Sequence, residues 1–335
     1  MKPLFLGLAG PALTPDERAF FAAHAPAGYI LFRRNCIDRA QMRALTDDLR
    51  ALSGRDDLPI LIDQEGGRVA RMTPPEWPAL PRAEAFDRLY DIAPMTAIEA
   101  ARANAQAIAA LLAEVGVTVD CLPLLDVRDP AGHDIIGDRA FGSEPLRVAA
   151  LGRATIEGLR DGGVVGVVKH IPGHGRARAD SHVELPVVDA DAAALERDLA
   201  PFRSLAGAPM AMTAHVVYPA WDAQACASLS ATVIGEVIRG PIGFDGLLMS
   251  DDLGMHALAG DFGARATGVL AAGCDIALHC SGDMAEMAAV AGAVGEIGAA
   301  ARERLHRAMA TVAGRAPVDY AEAAERRDAL LACGA

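Results

Sequence analysis

Three histidines and an aspartate lie close together in KHIPGHGRARADSH, residues 169–182, directly after the apolar run GGVVGVV. Imidazoles on one loop are suited to metal binding or to proton transfer near neutral pH, and they also occur as plain loop structure. Pro172 prevents His170 and His174 from sharing one helical face, and no HxH or HExxH pattern occurs. We therefore expect neither a metal nor another cofactor, and proton transfer is the leading hypothesis for this loop.

A second candidate lies in GFDGLLMSDDLGMHAL, residues 243–258, where an apolar strand ends in two aspartates. One of them, Asp252, has the position of an N-cap for a following helix. Asp251 is then the last strand residue. An ionised carboxylate there can act as a nucleophile or stabilise a developing cation.

These residues need elements to position them, and short apolar runs alternate with Ala-rich helical stretches along the chain. Strands are predicted at Pro3–Leu8, Gly28–Phe32, Pro59–Asp63, Val117–Leu125, Val164–His170, Met210–His215, Leu247–Asp251 and Asp275–His279. Helices are predicted at Thr14–His24, Arg39–Leu52, Ala97–Val115, Pro145–Asp161, Asp191–Leu205 and Ala231–Arg239. Eight such repeats favour an α/β fold, a single (β/α)8 TIM barrel with its active site at the C-terminal ends of the strands. A doubly wound open sheet is the alternative.

Polar residues recur where the predicted strands end. They are Asp63, Asp126, His170, His215 and Asp251. Each alone is also compatible with a helix cap or a surface charge. The C-terminal ends of barrel strands converge on one face, however, so their recurrence predicts one shared site.

Composition narrows the classes of function. The 335 residues are 52% apolar and 22% charged, and the net charge of −13 without a basic block argues against a nucleic-acid partner.

Six scattered cysteines without a C-x-x-C pair indicate a reducing compartment. Pro and Gly interrupt the first fifteen residues, so no signal peptide is expected, and no run reaches the roughly 20 apolar residues of a membrane span. We expect a cytoplasmic protein without membrane contact, formed by one domain over residues 1–335 with a helical tail from about residue 299. The oligomeric state stays open, and a monomer is compatible with the sequence.

Four blocks carry a resemblance to a known family: IDQEGGRVARM, IIGDRAF, KHIPGHGRARADSH and GLLMSDDLGM. They resemble the signature blocks of glycoside hydrolase family 3, and more narrowly its single-domain bacterial β-N-acetylglucosaminidases of peptidoglycan recycling. The likeness runs from about residue 4 to residue 285, and its most specific part is the pattern K-H-x-P-G-H-G-x(4)-D-x-H. The chain departs from the family at Gly254, where Ser is more usual, and within Arg176–Ala179. Both departures bear on loop motion and leaving-group preference.

The resemblance implies roles for the residues that match its motifs. Asp251 matches the nucleophile that forms a covalent glycosyl-enzyme, His182 matches the general acid/base, and Asp180 matches its dyad partner. The positions that match the sugar-binding subsite are Asp63, Arg71, Arg139, Lys169 and His170. Physically, an aspartate beside an imidazole fixes its tautomer, and a pKa of about 6.5 lets a histidine donate and later accept a proton near neutrality.

The implied activity is that of a retaining exo-β-N-acetylglucosaminidase. Its small carbohydrate substrate is GlcNAc linked to 1,6-anhydro-N-acetylmuramic acid, with or without peptide. A β-glucosidase of the same family is a rival, but those enzymes usually carry an acid/base Glu on a second domain. Substrate-assisted hydrolysis stays open because Asp251 and Asp252 are adjacent acids. A sugar-binding sensor on the same barrel is the rival from another class.

The loop raises one further expectation. Gly173 and Gly175 permit backbone angles that other residues resist. We expect them to let the loop bring His182 to the glycosidic oxygen only after a sugar has bound. Glu65, in DQEGG, is expected to be structural and not the acid.

Overall fold

The computed structural model describes residues 1–181, 184–316 and 318–334. Its strands are β1 Lys2–Leu6, β2 Pro26–Leu31, β3 Ile60–Ile62, β4 Val119–Asp120, β5 Val165–Ile171, β6 Met210–Thr213, β7 Val217–Tyr218, β8 Asp222–Cys226, β9 Leu247–Asp252 and β10 Ile276–His279. Eight of them close into a parallel barrel in the order β1-β10-β9-β6-β5-β4-β3-β2. The remaining pair, β7 and β8, forms an antiparallel hairpin after β6. The predicted (β/α)8 barrel is confirmed.

Helices follow the barrel strands along the chain. They are α1 Pro15–His24, α2 Arg39–Ser53, α3 Ala83–Ile92, α4 Pro94–Glu114, α5 Pro145–Asp161, α6 Ala192–Ser204, α7 Phe262–Ala272, α8 Met284–Ala293, α9 Ala299–Ala310 and α10 Tyr320–Ala332. The last helix packs against α4, where Arg326 Nη2 lies 2.6 Å from Glu99 Oε2. Across the part of the chain that the structure describes, no helix is both long enough and apolar enough to span a membrane.

The fourth strand is much shorter than its apolar run predicts. Only Val119–Asp120 pairs regularly, and one isolated bridge between Leu124 and Lys169 continues the contact with β5. Pro123 lies between the two and has no backbone N–H to donate to the ladder. The amides of Val167 and Lys169 still donate to the carbonyls of Leu122 and Pro123, so the segment stays bonded to β5 but is not a regular strand beyond Asp120.

The segment predicted as a helix at Ala231–Arg239 also differs. Residues Val233–Ile238 form wider π-helical turns in place of an α-helix. The segment VIGEVI is rich in β-branched residues and contains Gly235. Both features lower α-helix propensity, so burial of its apolar side chains decides its shape.

Side chains inside the barrel form apolar layers beneath the C-terminal ends of the strands. Leu61, Val167 and Met249, from three strands, belong to one buried cluster. Their sequence neighbours Val168 and Leu248 belong instead to the larger cluster beneath the helices. Successive strand residues point to opposite faces, so every second residue points into the barrel.

Candidate functional site

A cavity of about 280 Å³ lies at the C-terminal ends of the strands. Six of the eight predicted site residues line it: Asp63, Arg71, Arg139, Lys169, His170 and Asp251. Asp180 lies on the loop after β5 and is partly exposed, and the described walls of the cavity do not include it. His182, the predicted acid/base, lies outside the described residues.

The strand alternation explains why three of these side chains face the cavity. Asp63, Lys169 and Asp251 each stand two residues beyond a side chain of the barrel's apolar interior. A residue two positions further along a strand points the same way, one layer higher. The apolar layers therefore end in a polar layer at the mouth of the barrel.

A buried cluster of opposite charges forms one wall of the cavity. Lys169 Nζ lies 2.9 Å from Asp63 Oδ1 and 2.6 Å from Glu65 Oε1. Arg71 Nη2 donates to Asp63 Oδ2 at 3.0 Å. Arg139 binds Glu65 with two parallel hydrogen bonds of 2.8 Å each, from Nε and Nη2. The bidentate pairing and the shared ammonium hold both carboxylates in place.

These cations set the protonation of the cluster. Burial alone would raise the pKa of Asp63, but the charges and hydrogen bonds of Lys169 and Arg71 outweigh it and hold the pKa well below its usual range. Burial opposes Glu65 in the same way, yet Arg139 and Lys169 lower its pKa to about 2. Both carboxylates are ionised at neutral pH. Glu65 is buried among cations, in keeping with a structural role.

Arg71 keeps hydrogen-bonding capacity at the cavity. Its Nε is buried and has no hydrogen-bond partner among the described residues. The guanidinium lies over the ring of Phe32, with its carbon 5.0 Å from the ring centroid. Phe32 also lines the cavity. It directly follows the last residue of β2, so it too lies at the C-terminal end of a barrel strand. A sugar hydroxyl oxygen can accept a hydrogen bond from this Arg71 N–H group.

The backbone of β9 fixes the aspartates at its end. The amide of Asp252 donates to Asp251 Oδ1 at 2.8 Å. Asp252 Oδ1 in turn accepts from the amides of Gly254 and Cys280, each at 3.0 Å. The predicted helix cap at Asp252 is wrong, because the next α-helix begins at Phe262.

Asp126 holds two histidines that line the cavity, His170 and His174. Its Oδ2 lies 2.8 Å from His170 Nδ1, and its Oδ1 accepts from the amide of His174 at 2.6 Å. The carboxylate is fully buried. Burial opposes its ionisation, but His170 and His174 lower its pKa below the ordinary value. Asp126 thus orients the His170 ring and attaches the first part of the loop to the barrel.

The two loop glycines serve close packing. A Cβ on Gly175 would lie 1.8 Å from the carbonyl oxygen of Val127, and Gly173 has a φ of +135°. The hydroxyl of Tyr218 donates to the Gly173 carbonyl at 2.7 Å. Glycine is therefore needed at both positions for the local backbone geometry, and this requirement does not depend on a hinge.

The remaining histidines have distinct surroundings. His174 lines the cavity, its Nε2 lies 3.2 Å from Ser181 Oγ, and burial lowers its pKa to about 4. His215 is fully buried and is not among the described cavity walls. Its strand-end position indicated that it lines the site. Its two ring nitrogens instead bond to Ser228 and to the Asp252 carbonyl. Within 1–181, 184–316 and 318–334, no three His, Cys, Asp or Glu side chains are grouped as a metal site requires.

Comparison with known proteins places this geometry in a family. The model of the glycosyl hydrolase family 3 N-terminal domain matches residues 8–314. A β-hexosaminidase of Alkalilimnicola ehrlichii is 43% identical over 286 residues, covering 84% of this chain and 81% of that protein. A β-hexosaminidase of Aromatoleum aromaticum is 40% identical over 286 residues, covering 84% and 80%.

Solved structures show the same barrel. NagZ from Neisseria gonorrhoeae, in complex with N-trifluoroacetyl-D-glucosamine, superposes with a TM-score of 0.87 at 30% identity, covering 100% of this chain and 98% of that one. A family 3 β-N-acetylglucosaminidase from Paenibacillus superposes with a TM-score of 0.86 at 31% identity, covering 98% of this chain and 66% of that one. From the matched domain and these relatives, the chain belongs to glycoside hydrolase family 3.

Proposed function

We propose that this chain is a retaining exo-β-N-acetylglucosaminidase with Asp251 as its nucleophile and His182 with Asp180 as its acid/base dyad. The substrate is a terminal β-linked GlcNAc on a 1,6-anhydro-N-acetylmuramic acid muropeptide, processed in the cytoplasm during cell-wall recycling. The names of the relatives support hexosaminidase chemistry. The single observation that carries the proposal is that Asp251 shares one cavity with the cluster of Asp63, Lys169 and Arg71.

The cavity suits one sugar residue. Its volume of about 280 Å³ lies below the range typical of drug-sized ligands. Asp63 keeps lone pairs beyond those used by Lys169 and Arg71, so it can accept from adjacent sugar hydroxyls. Binding of the non-reducing sugar by this fixed cluster supports removal of one terminal residue at a time.

The reaction proceeds in two steps. An Asp251 carboxylate oxygen attacks C1, the bond from C1 to the leaving oxygen breaks, and that oxygen takes the proton of the His182 imidazolium. Water then attacks C1 and gives its proton to the neutral imidazole, while the bond from C1 to Asp251 breaks and restores the carboxylate. Configuration at C1 inverts twice and is retained.

The electrostatics of Asp63, Glu65 and Asp126 support a histidine as the acid. A general acid works best with a pKa near the operating pH. Asp63 and Glu65 are held ionised by neighbouring cations, and the pKa of Asp126 is also lowered. None of these three can donate a proton near neutrality, whereas an imidazole can.

The surroundings of Asp252 favour the covalent route over substrate assistance. Substrate assistance requires a second acid to orient the acetamido group of the sugar. Asp252 Oδ1 instead accepts two backbone N–H groups, and the residue's own amide is directed at Asp251. Asp252 also lines the cavity, but its Oδ1 is engaged by backbone amides and its own amide holds Asp251, which supports the covalent route.

Hydrolysis of a chromogenic aryl β-GlcNAc glycoside by purified protein tests the activity, and Asp251→Asn is expected to abolish it nearly completely. A 5-fluoro-N-acetylglucosaminyl fluoride retains the acetamido group, so mass added at Asp251 supports the covalent route. Inhibition without an adduct would exclude that route. No turnover by folded wild-type protein would favour the sugar-binding sensor.

Leaving-group dependence tests the acid. His182→Ala should slow glycosides with poor leaving groups far more than activated aryl glycosides, because only the former need protonation. Equal loss on both would remove His182 from this role. The substrate is tested by product analysis with the GlcNAc–anhydromuramic acid disaccharide, from which GlcNAc must be released.

A further inference from the structure

A buried chain of hydrogen bonds joins β6 to the end of β9. Thr213 Oγ1 lies 2.6 Å from Ser228 Oγ, and Ser228 Oγ lies 2.7 Å from His215 Nδ1. His215 Nε2 lies 3.0 Å from the carbonyl oxygen of Asp252. Thr213, Ser228 and His215 are all fully buried. The mechanism above uses none of these three side chains.

The chemistry of the partners fixes the direction of the chain. A carbonyl oxygen only accepts, so His215 Nε2 carries the hydrogen and donates it to Asp252. Burial lowers the pKa of His215, so the ring is neutral and its Nδ1 accepts. Ser228 therefore donates its one hydroxyl hydrogen to Nδ1. The Ala214 carbonyl, 3.1 Å from Ser228 Oγ, competes for that hydrogen at a longer distance. Ser228 Oγ then accepts from the hydroxyl of Thr213.

Asp252, at the end of this series of hydrogen bonds, is held at both its carbonyl group and its carboxylate. His215 holds the Asp252 carbonyl, and the amides of Gly254 and Cys280 hold its carboxylate. With its carbonyl and side chain fixed, Asp252 presents its own amide in one direction. That amide donates to Asp251 Oδ1 at 2.8 Å.

We infer that His215 is a positioning residue for Asp251, acting through the Asp252 backbone, with Ser228 selecting the tautomer that donates. The inference rests on the proposed role of Asp251 as nucleophile. Attack on C1 requires the carboxylate oxygen in line with the breaking bond, and a misplacement of 1 Å can cost about 10²-fold in rate. His215 is not among the described residues that line the cavity, so its effect on the reaction is indirect.

The decisive variants differ in one hydrogen bond. In His215→Phe the ring shape is kept and the donor to Asp252 is lost. In His215→Gln the side-chain amide nitrogen stands as many bonds from the backbone as Nε2 does, so the donor is kept. The matched control is His279→Phe, the same change at a buried histidine on β10 that contacts Ser281 and Glu286.

For His215→Phe we expect kcat on an aryl β-GlcNAc glycoside to fall by about 10²-fold, with KM within about twofold of wild type. Labelling of Asp251 by the 5-fluoro reagent should slow by the same factor. His215→Gln should recover at least about tenfold of that loss, and His279→Phe should leave the labelling rate near wild type. The inference is overturned if His215→Phe retains kcat, or if its loss is entirely in KM.

Folding and the proposed nucleophile are controlled separately. Ser228→Ala keeps the imidazole but removes the donor to Nδ1, so it should lower kcat by an intermediate factor without changing KM. If His215→Phe fails to fold, Ser228→Ala with unchanged kcat overturns the inference. Failure of the 5-fluoro reagent to label Asp251 in wild type refutes the proposed nucleophile instead. Labelling at equal rates in wild type, His215→Phe and Ser228→Ala refutes only the positioning role.

Discussion

Lys169→Met should destabilise the protein strongly, because the ammonium is buried between two carboxylates. Only 2% of the Lys169 side chain is exposed, and its Nζ lies 2.9 Å from Asp63 and 2.6 Å from Glu65. Each attraction amounts to about 6 kcal/mol at an effective dielectric constant of about 20. Desolvation of the ammonium offsets much of this, but removing one partner of a buried ion pair typically costs about 3–5 kcal/mol. We expect a loss in that range, a large share of a total stability of about 5–15 kcal/mol.

Denaturant unfolding of wild type and variant at pH 7 measures this loss. The matched control is Arg39→Met, since Arg39 also contacts two carboxylates, Glu76 at 2.8 Å and Glu114 at 3.2 Å. Those side chains are 37–49% exposed, so solvent screens the pairs and the expected cost is at most about 1 kcal/mol. A loss for Lys169→Met no larger than for Arg39→Met would refute the reasoning that burial gives this cluster its strength.

Two further variants probe the surroundings of the site. Burial raises the pKa of Asp120 to about 8, and its Oδ2 has no hydrogen-bond partner among the described residues. The folded state thus keeps a proton that the unfolded chain releases at a pKa of about 3.9, and stability falls as pH rises between these values. Asp120→Asn should remove this pH-dependent loss of stability. It should raise the free energy of unfolding by up to about 4 kcal/mol at pH 7 and change it little at pH 4. Equal gains at both pH values would contradict the protonated state of Asp120. Gly175→Ala should lower kcat/KM for all glycosides, because its Cβ would lie 1.8 Å from the Val127 oxygen, whereas Gly10→Ala meets nothing within 4 Å and serves as the control. Equal activity of these two glycine variants would show that the loop tolerates the displacement.

Local pattern was sufficient to predict the barrel and the strand-end residues Asp63, His170 and Asp251 of the cavity wall, whereas Arg71, Arg139 and Lys169 were expected only from the family resemblance. Alternation along a strand depends only on neighbouring residues, so the run that ends at Asp63 already places that side chain above Leu61. The same holds for Asp251 above Met249. The shortening of β4 was missed because the apolar character of the run hid the effect of Pro123, which cannot donate a hydrogen bond to the ladder.

The partners of the polar residues were not predictable in the same way. Arg139 and Glu65 are 74 positions apart, and no local spacing indicates their bidentate pairing. Likewise, His215 stands at a strand end as a site residue would, but both its ring nitrogens are engaged by other buried groups. Strand position predicts which layer a side chain enters. Which hydrogen bonds it makes depends on side chains brought together by the closed barrel.

The described part of the loop after β5 is tied to the barrel by hydrogen bonds and close packing. The amide of His174 is held by Asp126, and the carbonyl of Ala177 accepts from the amide of His133 at 2.7 Å. Gly175 packs directly on the backbone of the Asp126 segment, where no Cβ fits. Movement of residues 171–177 would break these bonds together and expose a buried carboxylate. Residues 171–177 are therefore expected to stay with the barrel, as are Asp63, Lys169 and Asp251 at the ends of their strands.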